Sequence, residues 1–144
     1  MKALRFGWMI ALLGVTALGC ADDDDDTNKD KETAPLEVIG EWDGEFGEET
    51  ITEDVWGFNG AIIEYDNATN IVITQNDDDA EFNPSAFSRI VYTQPEDDAF
   101  AYCITDFALE TVEDAREANG TADADDLEGG CGEGGFPWTQ LTAK

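Results

Sequence analysis

The stretch AIIEYDNATNIVITQ, Ala61 to Gln75, decides the fold. Its two ends, AIIEY and IVITQ, are short runs rich in β-branched residues, which suit a pleated surface and are too short for a stable helix. Between them DNATN supplies aspartate and asparagine residues, whose side chains bond neighbouring main chain and tolerate left-handed backbone. The segment therefore predicts a β-hairpin, Ala61–Tyr65 against Ile71–Gln75.

The same alternation extends both ways. VIGEWDGEF places Val38, Gly40, Trp42, Gly44 and Phe46 on one face and Ile39, Glu41, Asp43 and Glu45 on the other, the pattern of a half-buried strand. GEETITEDVW predicts a second strand centred on Ile51, irregular near Val55 and Trp56. Further on, SRIVYT from Ser88 and AFAYCITDF from Ala99 flank QPEDD as a second hairpin, with Phe100, Tyr102 and Ile104 on one face and Ala101, Cys103 and Thr105 on the other. ETVEDAREANG changes period: Thr111 caps, Asp114 lies three residues on, Val112, Ala115 and Ala118 repeat at helical spacing, and Asn119-Gly120 can end the helix. A closing strand from Phe136 to Leu141 follows a glycine-rich loop. Six to seven short strands at hairpin spacing with one short α-helix near the C-terminus predict an all-β domain, an antiparallel barrel or sandwich, over residues 36–144.

Charge narrows the partners. The 144-residue chain has 34 acidic and 7 basic residues and no histidine. Phosphate binding needs clustered lysine and arginine, so nucleic acid is excluded as a partner, and anionic lipid would repel the domain. Solubility, cation attraction or a basic partner protein are the uses such a charge can serve. TADADDLEGGCGEGG gathers Asp123, Asp125, Asp126 and Glu128 in a flexible loop, oxygen ligands of the kind calcium takes. The spacing is not that of an EF-hand, because Leu127 and Glu128 fall where a third ligand and the obligatory glycine belong. Divalent cation binding there stands as the alternative to a solvated acidic loop.

The first twenty residues are of another kind. Lys2 and Arg5 precede an uncharged run, Phe6 to Gly19, the basic and apolar regions of an export signal. As a helix that run would cover about 21 Å, short of the roughly 30 Å of a bilayer's hydrocarbon core. It ends in Ala17-Leu18-Gly19-Cys20, and here the chain resembles bacterial lipoproteins, whose signal peptides close on a small residue before a cysteine. The resemblance implies cleavage after residue 19 and acylation of Cys20. Family sorting places aspartate after the cysteine in inner-membrane retention, and Ala21 here implies the outer membrane. Removing Lys2 and Arg5 with the signal leaves a formal charge of −29 on the mature chain. The run after Ala21, five aspartates followed by TNKDKETA, has too little apolar surface to offset its ordering entropy. Residues 20–35 are thus expected to be the lipidated cysteine and an acidic tether reaching at most about 48 Å.

The domain itself is similar to small acidic lipoproteins of Gram-negative bacteria in YDNATNIVITQN, in its Tyr-Cys strand and in GCGEGGFPWTQL, which makes Trp42, Tyr65, Cys103, Cys131 and Trp138 candidate framework. No particular activity comes with that resemblance. Gly40-Glu41-Trp42 resembles the G-x-W entry of lipocalins over three residues, which implies a plugged barrel with a small-molecule pocket around Trp42, Trp56 and Trp138. Lipocalins close on a basic residue over that tryptophan, and FPWTQL has none. The structural core expected on sequence grounds is Trp42, Trp56, Tyr65, Tyr102 and Trp138.

With Cys20 lipidated, Cys103 and Cys131 remain, and in an oxidising compartment they should pair. Thiolate metal binding and a redox pair are the alternatives, although two distant cysteines without histidine make a poor ligand set. Without histidine, Ser-His-Asp, Cys-His and His-zinc chemistries are closed. No phosphate loop or dinucleotide fingerprint is present, and no cofactor is expected. Carboxylate pairs such as Glu45 with Asp106 or Glu64 with Glu81 could serve glycoside hydrolysis. The leading expectation is a non-enzymatic, lipid-anchored envelope module that contacts a protein or surface polymer. A lipocalin-like carrier and a carboxylate-dependent hydrolase are its rivals.

Overall fold

A computed structural model describes residues 34–144. The signal segment, Cys20 and nearly all of the tether lie outside the described residues. Seven antiparallel strands form one curled sheet, a half-barrel: β1 (Gly40–Gly44), β2 (Gly47–Ile51), β3 (Ala61–Asp66), β4 (Ile71–Gln75), β5 (Phe87–Tyr92), β6 (Ala99–Leu109) and β7 (Thr139–Ala143). Their order is β2-β1-β7-β6-β5-β4-β3, so the last strand is inserted between the first hairpin and the rest. There is no second sheet among the described residues, and the sandwich alternative falls. The two edges, β2 and β3, are joined at one end only, by the segment between them. There Ile51 bridges Trp56, Val55 bridges Ala61, and Ile62 N–H donates to Asp54 O at 2.7 Å.

The hairpin that decides the fold forms in the expected register, Ala61 opposite Gln75 and Asp66 opposite Ile71. Asp66 Oδ1 accepts the Ala68 N–H at 2.9 Å, and Asn70 takes the left-handed conformation. A bulge between Ile62 and Glu64 leaves Ile63 exposed on this edge strand. β5 and β6 make the second predicted hairpin, and the two faces of β6 separate as the alternation requires. Phe100 and Tyr102 enter the large core on the concave side with Val38, Trp42, Ile51, Trp56, Val72, Ile90, Tyr92 and Leu141. Ala101 and Cys103 enter a smaller cluster on the opposite face with Cys131 and Trp138. Tyr65 only flanks the large core, and its hydroxyl donates to Ala34 O at 3.1 Å at the rim.

Helix α1 (Val112–Glu117) packs over β4, β5 and β6. Thr111 and Asp114 form a reciprocal capping box, which satisfies two amides that the first turn leaves open. Three sequence expectations are corrected. Phe46 is not on the inner face: Gly44 pairs with Gly47, so Glu45 and Phe46 form the turn of the first hairpin and the ring is 74 % exposed. The closing strand begins at Thr139, not Phe136, because Pro137 has no N–H for a ladder and the Trp138 N–H is taken by Leu127 O at 2.8 Å. The helix does not end on a left-handed Asn119-Gly120; the chain leaves it extended at Ala118. Gly120 is needed for space instead, since a Cβ there would lie 2.6 Å from both Asp106 Oδ2 and Thr105 O.

Candidate functional site

The concave side of the sheet is built from rings. Trp56 is fully buried, with its ring centre 5.4 Å from that of Tyr102, 6.1 Å from Tyr92 and 6.2 Å from Phe100. Trp42 meets Phe100 edge to face at 4.6 Å. Trp138 lies in the other cluster, so the three tryptophans do not line one pocket as the lipocalin-like expectation requires. Trp42 Nε1 donates to Val38 O at 2.9 Å, whereas Trp56 Nε1 and Trp138 Nε1 have no hydrogen-bond partner.

One carboxylate is buried among these rings. Glu49 is 4 % exposed because it shares the inward face of β2 with Ile51. Its Oε2 accepts from the Tyr102 hydroxyl at 3.3 Å, and its Oε1 from Phe58 N–H and Asn59 Nδ2, each at 3.4 Å. Desolvation raises the Glu49 carboxyl above its ordinary value, opposed by the hydrogen bonds from Phe58, Tyr102 and Asn59. Burial, with Glu49 beside it, pushes the Tyr102 phenol to about 12. The network ties β2 to the short 3-10 turn Gly57–Asn59 and to β6. Gly57, with φ +36, is required there, since a Cβ would fall 2.1 Å from the Glu49 side chain. A carboxylate so enclosed fastens the end of the half-barrel.

The residues singled out from sequence lie in different parts of the domain. Cys103 and Cys131 are bonded, with Cα atoms 5.5 Å apart, and tie β6 to the glycine-rich loop. The four loop acids do not converge. Asp123 Oδ1 accepts the Asp125 N–H at 3.0 Å, and Asp126 Oδ1 accepts the N–H groups of Glu128 and Gly129, so two of the carboxylates serve as turn caps. Among the described residues no group of three or more acidic or cysteine side chains is placed to hold a metal ion. The proposed carboxylate pairs are separated too. Glu64 is engaged by Arg116 while Glu81 is exposed in the β4–β5 loop, and Glu45 and Asp106 line different clefts.

Several clefts open on the surface, and three bear on function. The first, about 290 Å³ over Ile71, Ile73 and Ala115, carries both described arginines. Arg116 grips Glu64 through two bonds of 2.9 and 2.6 Å and reaches Glu113 at 3.2 Å, which lowers the Glu64 carboxyl below its ordinary range and leaves no surplus positive charge. Arg89 donates to Thr105 Oγ1 at 3.3 Å. The second cleft, about 520 Å³, runs between Gln94, Phe100, Leu127 and Gln140. The third, about 370 Å³, is walled by Phe107 and Phe136 and edged by Asp106 and Glu133. Lys144 pairs with Glu48. The cations of the domain are thus largely spent inside it, and the surface it presents is acidic.

Sequence reasoning missed Glu49, Asn59 and the shared cleft of Phe107 and Phe136. For Glu49 a signal existed, its phase with Ile51; for the two phenylalanines, 29 positions apart, none did. Comparison with models of protein families, with curated proteins and with solved structures finds no match.

Proposed function

We propose that the chain is a lipid-anchored protein of the bacterial cell envelope, held in the outer membrane through Cys20, whose acidic β domain is a non-enzymatic binding module. The observation that carries this reading is the arithmetic of the cysteines. The Cys103–Cys131 bond uses two of the three and belongs to an oxidising compartment, which leaves Cys20 at the end of a basic-then-apolar segment. Two or more acyl chains at about 0.8 kcal/mol per buried methylene would anchor it stably. Among the described residues no helix is long and apolar enough to cross a membrane, so in this reading attachment falls to the cysteine.

The binding reading draws on the surface. The domain spends its interior on aromatic packing, its candidate acids are capped or apart, and its open clefts lie on an acidic exterior suited to a basic protein or polymer. The test is expression of the chain and of Cys20→Ser with an alkyne fatty acid. The parent should incorporate the label and sediment with outer membranes, and the variant should do neither. A Cys20→Ser variant that still sediments refutes the anchor.

A further inference from the structure

On the disulfide side of the sheet two large rings stand in water, although the fold uses neither for its core. Phe107 is 67 % exposed and Phe136 63 %, and both wall the same 370 Å³ cleft. Phe46, Phe58 and Phe82 are also exposed but belong to other parts of the surface, and single exposed rings need no explanation. The pair is different because both rings wall one cleft and stand on pinned main chain. Phe136 is locked to Cys131 by two main-chain bonds of 2.9 and 3.0 Å, and Cys131 is bonded to β6. Its ring lies against Gly134, where a Cβ would meet ring carbon Cε2 at 2.4 Å, and Gly132 and Gly135 on either side take left-handed φ. Phe107 sits in β6 one residue before Ala108, itself at φ +57. The main chain that carries the two rings is thus bonded in place, in strand β6 and in the loop tied to it.

The chemistry of the cleft is that of a cation acceptor. Asp106 Oδ2 accepts the Gly120 N–H at 3.1 Å, and Glu133 is exposed at the rim. Residues 34–144 hold 27 acidic and three basic side chains, so the long-range field attracts cations as well. Ring faces and carboxylates together favour a guanidinium over an ammonium, because its plane stacks on aromatic rings while its fork of donors meets carboxylate oxygens. We propose that this cleft seats an arginine side chain from a basic segment of a partner protein. The proposal rests on the binding-module reading and is independent of the lipid anchor.

The test titrates the full chain, in neutral detergent micelles with the disulfide intact, with fluorescein-labelled hexa-arginine and hexalysine peptides, read by anisotropy. Phe107→Ala/Phe136→Ala keeps every charge and, because both rings are exposed, the parent's melting temperature. It should weaken hexa-arginine binding about tenfold or more, the scale of two lost ring contacts. Hexalysine should bind more weakly than hexa-arginine and respond less. Asp97→Asn/Asp98→Asn, which removes two charges at the distant β5–β6 turn, serves as the control and should change binding less than threefold. Hexa-arginine affinity that survives the double phenylalanine change, or falls equally in the control, overturns the cleft while leaving the domain a diffuse binder of basic segments. No binding of either peptide overturns cleft and binding module together, and the Cys20 labelling result stands apart from both.

Discussion

Replacing both Cys103 and Cys131 with alanine asks how much of the stability resides in one covalent tie. The bond closes a loop of 28 residues' separation, for which chain-entropy reasoning gives about 3.5 kcal/mol at 25 °C. With an unfolding entropy of about 2.1 cal/mol/K per residue over the 111 described residues, that loss corresponds to roughly 15 °C in Tm. Alanine is the right replacement because Cys103 is buried among Ala101, Val91 and Trp138, and a serine hydroxyl there would add a desolvation cost of its own. Urea unfolding followed by tryptophan fluorescence should show the lower midpoint together with a steeper m, since an unlinked chain exposes more surface when unfolded. A loss below about 1 kcal/mol with m unchanged would refute the reasoning, because it would mean that the free loop is confined in the unfolded state without the bond.

Two further perturbations probe the interior. Trp42→Phe and Trp56→Phe remove the same atoms from one cluster, but only Trp42 loses a hydrogen bond and strands the Val38 carbonyl. Trp42→Phe should therefore cost about 1–2 kcal/mol more than Trp56→Phe in urea unfolding, and equal costs would contradict the assignment. Glu49→Ala, which leaves the Tyr102 hydroxyl and the Phe58 N–H without their acceptor while the Asn59 amide keeps the Tyr102 oxygen at 3.3 Å, should cost about 1–3 kcal/mol. Because burial raises the Glu49 carboxyl, the folded chain holds that proton more tightly than the unfolded chain, and this contribution fades as pH rises through the folded value. Glu49→Gln should gain on the parent as pH rises above the ordinary carboxylate range in parallel melts, and a difference independent of pH would show that the carboxyl is not desolvated.

What was legible in the sequence was local. The Ala61–Gln75 hairpin, the two-faced alternation of β6 and the Thr111 cap each depend on residues a few positions apart, and each formed as the residue types require. The insertion of β7 between β1 and β6 was not legible, because strand order is settled by which apolar faces fit together across the whole chain. Phe46 and Phe136 depart from the alternation for a shared reason: the pattern continues through a turn on paper, while glycine or proline ends the ladder in space. Glu49 was overlooked because thirty-four acids make any one of them look like surface. The cleft between Phe107 and Phe136 joins strand β6 to the loop that Cys131 ties to it, a meeting that no local pattern reveals.

The way β6 divides its side chains has a consequence for how the sequence can change. Phe100 and Tyr102 face the rings while Ala101 and Cys103 face the disulfide cluster, so sliding this strand by one residue would exchange the two sets. A half-open sheet has no closed circumference to forbid such slippage. Here a sulfur–sulfur link takes over that duty, acting as a peg that fixes the alignment of the central strand. Lengthening the acidic turns is therefore tolerable, whereas a single residue inserted between Ala99 and Cys103 would scramble both sides of the protein at once.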